Sequence, residues 1–260
     1  MLRTVNATRY VLPLREGGSL PAIVEADDDG LYVVKFRGAG QGSLALVAEL
    51  IAGEIGRALG LNVPELVFAN VDAMLARNEP DAEIRELIKK SDGLNLALDY
   101  LPGSTMFDPA ARDTAPADVA SLAVWFDAFT LNVDRTARNA NLLMWHRKPY
   151  FIDHGAALFF HHSWETRAQK IESPFTEIAQ HILLQWAAEI AQAGALARER
   201  LTPRVLDEIV AQVPDAWLAP IAEGSSVDAV RSGYLNFFGA RLAASTIFEQ
   251  EAIRAHARVV

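Results

Sequence analysis

The sequence predicts an α+β fold of two lobes, with strands first and helices after. Two observations carry this expectation. Up to residue 101, short runs rich in Val, Leu, Ile and Tyr alternate with turn signals, and one clear helix lies among them. From Pro116 onward the texture changes to long apolar or amphipathic stretches with helical spacing and a single short hairpin. The expected seam is Leu101–Thr105, which divides the chain into residues 1–101 and 102–260.

In order, "YVLPL" and "LPAIVEA" read as antiparallel strands around the turn signal "REGGS", and "DDDG" is a tight turn before a third strand, "LYVVKF". "SLALVAELIAGEIGRALG" is a helix. Ser43 is placed to cap it, Leu44, Val47, Ile51, Ile55 and Leu59 form its apolar stripe, and Gly60 ends it. "ELVFANV" is a strand, "DAEIRELIKK" a surface helix, and "LNLALDYLPGS" a strand that runs out into a Pro-Gly turn. In the second half, "ADVASLAVWFDAFTL" is an apolar helix, and "NLLMW" and "PYFID" make a hairpin around "HRK". Beyond residue 175 the chain reads helical, with a cap-and-proline start at Thr202-Pro203 and one long amphipathic stretch from Val227 to Ala255.

Composition excludes several function classes. A formal net charge of −9 disfavours a broad nucleic-acid or anionic-membrane surface. The absence of cysteine rules out disulfides, thiolate metal sites and cysteine nucleophiles. The first residues lack the apolar core of a signal peptide, and no apolar run approaches the ~20 residues that span a bilayer. A cytoplasmic enzyme or binding protein, with neither nucleic acid nor membrane as partner, is the expectation.

The stretch "LYVVKFRGAGQGS" admits two readings, a phosphate-cradling loop or a connector beside one strand lysine, Lys35. Gly38 and Gly40 are followed by Ser43, and Gly42 is out of phase, so G-x-G-x-x-G fails. No lysine follows the glycines, so the P-loop fails as well. The connector reading is preferred, and Lys35 becomes the residue of interest. An unpaired ammonium there would be costly if buried, and Glu49 on the following helix is placed to meet it. Glu54 competes for that role but points to a different side of the helix.

The stronger signal is "NVDRTARNANLLMWHRKPYFIDHG" at residues 132–155. Asp134 follows an apolar helix, Asn139 and Asn141 follow it, and two short strands then deliver Asp153 and Gly155. Phosphoryl transfer from ATP asks for such a set. It needs a carboxylate to orient or deprotonate a hydroxyl, and hard oxygen ligands for Mg²⁺.

In this order of parts the chain resembles the protein-kinase-like fold, and most of all the HipA-like kinases with the related phosphatidylinositol-kinase-like group, whose catalytic loop reads D-R-H-x-x-N. The matching stretch is "DRTARN", and the resemblance covers about residues 8–200. It implies a bilobal protein-kinase-like fold that binds ATP and Mg²⁺ and phosphorylates an unknown hydroxyl-bearing acceptor. Asp134 would be the catalytic base or orienting group, Asn139 and Asp153 the metal ligands, and Lys35 with Glu49 the phosphate-positioning pair. Adenine would lie in the seam against the backbone of Asp99, Tyr100 and Leu101. The chain departs from the family where Thr136 replaces histidine, where Asn141 offers a second candidate ligand, and where no A-P-E motif follows Gly155. It also has no room for the extra N-terminal region of the HipA toxins, so their substrate is not carried over.

Plainer readings stand beside these. Lys35 could snorkel from an edge strand, Asp134 and Arg135 could be a solvated surface pair, and Asp153 a turn residue. A nucleotide-binding pseudokinase is the alternative function. A metallohydrolase built on His154, His161 and His162 is a further one, disfavoured because adjacent strand histidines face opposite ways.

Overall fold

The computed structural model describes residues 1–14 and 20–260, so the turn expected in "REGGS" lies outside the described residues. Five strands of the first half form a closed barrel: β1 (Thr4–Pro13), β2 (Ala22–Ala26), β3 (Leu31–Lys35), β4 (Leu66–Val71) and β5 (Gly93–Asp99), in the order β1-β2-β3-β5-β4. Neighbours are antiparallel except at the closing seam, where β1 runs parallel to β4 with Thr4 opposite Phe68 and Asn6 opposite Asn70. Helix α1 (Gly42–Leu59) follows β3, and α2 (Ala82–Lys90) precedes β5.

Side-chain parity along the strands decides what each face meets. Val34 and Val67 both lie opposite Ala97 and belong to the core inside the barrel. Leu66, Phe68, Leu96 and Leu98 take the alternate positions and join a second core made with α1 and the helices of the other half. Lys35 lies opposite Leu96, so the same parity turns it out of the barrel toward α1. Gly53 lets α1 lie close to β4, since a Cβ there would come within 2.7 Å of Leu66 Cδ1.

The rest of the chain begins with β6 (Thr105–Met106) and α3 (Ala117–Thr130), then the hairpin β7 (Leu142–Trp145) and β8 (Lys148–Phe151), which β6 extends to three strands. The hairpin turns through His146 and Arg147, both at positive φ (48° and 64°), the twist that two-residue hairpin loops require. Segments of 3₁₀ helix fill Phe159–Lys170 (kinked at Ser163), Thr176–Gln180 and Leu184–Trp186. Helices α4 (Ile190–Arg200), α5 (Pro203–Val210), α6 (Asp215–Leu218), α7 (Val227–Ala243) and α8 (Thr246–His256) complete the fold. Thr202 caps α5 through Val205 N–H, with Pro203 in the first turn.

Two expectations need correction. Ser43 does not cap α1. Gln41 precedes the helix without a side-chain bond, and the Ser43 hydroxyl donates instead to the Trp217 carbonyl. The stretch Val227–Ala255 is two helices, broken at Ala244–Ser245, where the Ser245 hydroxyl accepts from Arg198. The glycine-containing segment after β3 links it to α1, and two of its glycines are constrained. A Cβ on Gly38 would meet Lys90 Cβ at 2.7 Å, and Gly42 holds φ +65° at the head of α1.

Candidate active site

Lys35 Nζ donates to Glu49 Oε2 and to Asp153 Oδ1, each at 2.6 Å. The lysine side chain is 11% exposed and Glu49 is fully buried. Burial works against the ammonium, but the flanking Glu49 and Asp153 outweigh it and hold its pKa above the ordinary value. The charge of Lys35 in turn holds Asp153 below the usual carboxylate range against the cost of burial. Burial raises the Glu49 carboxyl despite Lys35. Glu49 Oε2 also accepts the backbone N–H of His154 at 2.7 Å, so one carboxylate ties α1 to β3 and to the segment after β8. Glu54 is elsewhere, paired with Arg57 at 3.3 Å.

Asp153 adopts φ +55°, a left-handed conformation that costs about 1 kcal/mol for a non-glycine residue. Across the cleft, Asp134 Oδ2 accepts from Asn139 Nδ2 at 2.8 Å and from Asn141 Nδ2 at 3.3 Å. Lys35, Asp134, Asn139 and Asp153 line one cleft of about 300 Å³, and the Gly40–Gly42 loop forms part of its wall. Asn141 is buried behind it, its Nδ2 also 3.4 Å from the Asp153 carbonyl.

Asp99, Tyr100 and Leu101 are not among the residues lining this cleft. The Asp99 N–H donates to the Glu65 carbonyl and the Tyr100 N–H to that of Leu31; among the described hydrogen bonds, the Leu101 N–H donates to none. The three histidines also stay apart in role. His154 Nδ1 accepts from Arg135, His161 Nδ1 is 3.1 Å from the Tyr234 hydroxyl, and His162 is exposed. Among the described residues, no group of three or more His, Asp or Glu could hold a metal ion, which leaves a transition-metal hydrolase without a ligand set.

Sequence reasoning overlooked the buried support beneath the cleft. Arg135, beside Asp134, is almost wholly buried and is no surface partner. Its Nε donates to Asp127 Oδ2 at 2.6 Å, and its other nitrogens reach the Asn141 carbonyl and His154 Nδ1. Burial and then the charge of Arg135 push His154 down to about 3, which keeps the ring neutral. Asp127 also accepts from His181 Nε2 at 2.9 Å and Asn132 Nδ2 at 3.0 Å. Burial alone would raise its pKa, but Arg135 and His181 reverse the direction. One signal was available for Asp127: a lone carboxylate inside "AVWFDAFTL" must find partners if that helix is buried. Nothing in the sequence marked His181.

A family model described as HipA-like kinase matches residues 9–232. The chain belongs to the HipA-like kinase family. No curated protein sequence matches it. Among solved structures, this HipA-like kinase is similar to a Helicobacter pylori proinflammatory kinase, CtkA, with a TM-score of 0.56 and 13% identity over 98% of both chains. It is also similar to the golgi casein kinase, with a TM-score of 0.44 and 10% identity over 100% of this chain and 75% of that one. The first likeness establishes a shared fold and nothing about substrate; the second is too distant to carry an argument. Family membership makes the chain a kinase-like phosphotransferase.

Proposed function

We propose that this HipA-like kinase transfers the γ-phosphate of ATP, with Mg²⁺, to a hydroxyl group of an acceptor whose identity is open. On this reading the chain divides into two lobes between residues 101 and 102, with the reaction between them. One observation carries the reading: Lys35, Asp134, Asn139 and Asp153 line a single cleft, with Lys35 fixed by the buried Glu49.

Lys35 supplies a positive charge for phosphate oxygens, and Glu49 holds its ammonium in place. Asp134 orients the acceptor hydroxyl and takes its proton. Asn139 donates its amide N–H to Asp134 and so leaves its carbonyl oxygen for the metal. Asp153 and Asn139 make a hard-oxygen pair that suits Mg²⁺, an ion usually held by one or two carboxylates together with substrate phosphates. When bound, Mg²⁺ supplies charge neutralisation at the phosphate oxygens. Asn139 is preferred to Asn141 as ligand because it lines the cleft. Of the seam residues, Leu101 has an N–H that donates to no acceptor among the described hydrogen bonds, which leaves it for adenine.

The test is phosphotransfer from γ-labelled ATP to a screen of acceptors, alongside nucleotide binding with and without Mg²⁺. Asp153→Asn should abolish turnover and weaken Mg²⁺-dependent nucleotide binding. Asp134→Asn should bind nucleotide nearly as the wild type does while turnover falls. Wild-type phosphotransfer in both variants would defeat the assignment, and nucleotide binding without any turnover in the parent would make the chain a pseudokinase.

A further inference from the structure

Asp127 lies fully buried in α3 and gathers three donors from two distant parts of the chain. Two of them, Asn132 and Arg135, flank Asp134, and Asn132 Oδ1 accepts the Asp134 N–H at 3.2 Å. The third, His181, arrives from a turn 54 residues after Asp127. The imidazole has one workable neutral form here. Its Nδ1 accepts the Leu183 N–H at 3.0 Å, so the ring proton sits on Nε2 and is donated to Asp127. The backbone makes the same connection, because Ile182 N–H donates to the Arg135 carbonyl at 3.1 Å and Thr136 forms an isolated antiparallel bridge with His181.

We propose that His181 is a positioning residue for the catalytic loop: by sharing Asp127 with Arg135 it fixes the guanidinium that holds the Asp134 side of the cleft against the Asp153 side. Arg135 Nε and His181 Nε2 both bond Asp127 Oδ2, so the two donors constrain each other's direction. Arg135 Nη1 reaches the Asn141 and Ile152 carbonyls and Nη2 reaches His154, so the guanidinium bonds the Asp134 side through Asn141 and the Asp153 side through Ile152 and His154. Loss of the imidazole leaves the loop one fewer anchor at a carboxylate that water does not reach. The effect on turnover rests on the phosphotransfer reading; the effect on loop order does not.

His181→Leu removes the donor at similar bulk, and His181→Gln returns an N–H at a comparable reach. Hydrogen exchange of peptides covering residues 132–141 reads loop order, with α7 as an internal reference. We expect exchange about tenfold faster in the Leu variant and near-wild-type exchange in the Gln variant. Where ATP turnover is measured, kcat should fall about tenfold in the Leu variant with KM for ATP little changed, and recover with Gln. If Leu unfolds the whole protein, α7 will exchange as fast as the loop, and the Gln variant alone decides: wild-type protection of the loop supports the proposal. Wild-type loop exchange in a folded Leu variant, or a Gln variant as loose as Leu, overturns it. A wild-type protein that transfers no phosphate would sink the proposed function, and the exchange comparison would still settle the role of His181.

Discussion

Lys35 sits between two carboxylates with different access to water: Glu49 is fully buried, whereas 45% of the Asp153 side chain is exposed in the cleft. Lys35→Ala therefore has two effects that can be separated. Nucleotide affinity or turnover should fall about ten- to a hundred-fold, the scale of one charge-assisted contact. Stability should fall too, and by more at about pH 8 than at about pH 5. Without the lysine, Glu49 is a buried carboxyl whose folded pKa lies above its unfolded one. Such a group is relatively stabilising in acid and loses that contribution as pH rises through the folded pKa. Thermal midpoints of both proteins at the two pH values check this, and a pH-independent gap would contradict it. Lys35, Glu49, Asp134, Asn139 and Asp153 could be noticed in the sequence because charges or amides stand beside apolar runs that would bury them. Their mutual distances could not, and neither could Arg135 and His181, whose partners depend on tertiary folding.

Helix ends carry a second set of buried polar contacts. Arg241 of α7 is fully buried and donates to five carbonyls: Ala128 and Phe129 near the end of α3, and Lys170, Ile171 and Ser173 at and just beyond the end of the Phe159–Lys170 segment. Burial pushes its pKa down to about 9, so it stays charged at neutral pH and can satisfy carbonyls that helix α3 cannot pair internally. Arg241→Met should cost about 3–5 kcal/mol in chemical denaturation, the scale of a buried network that loses one member. Arg241→Lys should recover little, because an ammonium cannot span the same fork. A loss below about 1 kcal/mol for Met would show that these carbonyls find other partners. The elements themselves were largely legible where a cap or breaker marked them, as at Gly60 and Thr202-Pro203. The break between α7 and α8 was not. Ala244-Ser245-Thr246 contains neither Gly nor Pro, and Ser245 is drawn instead to Arg198, which also pairs with Glu249.

For the molecule as a whole, buried neutral histidines set the acid limit of stability. Burial, joined by Arg135 at one site and His162 at the other, pushes His154 and His161 each to about 3. Between that value and the unfolded value the unfolded chain binds more protons, so stability is full above about pH 6.5 and falls as pH drops. Going from pH 7 to about pH 5.5 should remove about 1 kcal/mol per histidine, visible as a lower urea midpoint. An unchanged midpoint would mean that these rings are charged or solvated in the folded protein. The α+β character showed in the sequence through its strand-then-helix texture, but the closed barrel did not, because the β1–β4 pairing joins segments with α1 between them. That pairing has a consequence for synthesis on the ribosome. Antiparallel neighbours β1, β2 and β3 can pair as they emerge, but β1 stays without its parallel neighbour until β4 has left the exit tunnel. A nascent chain stalled within α1 should therefore hold strands that a protease still cuts, and protection of β1 should appear only once Val71 is exposed.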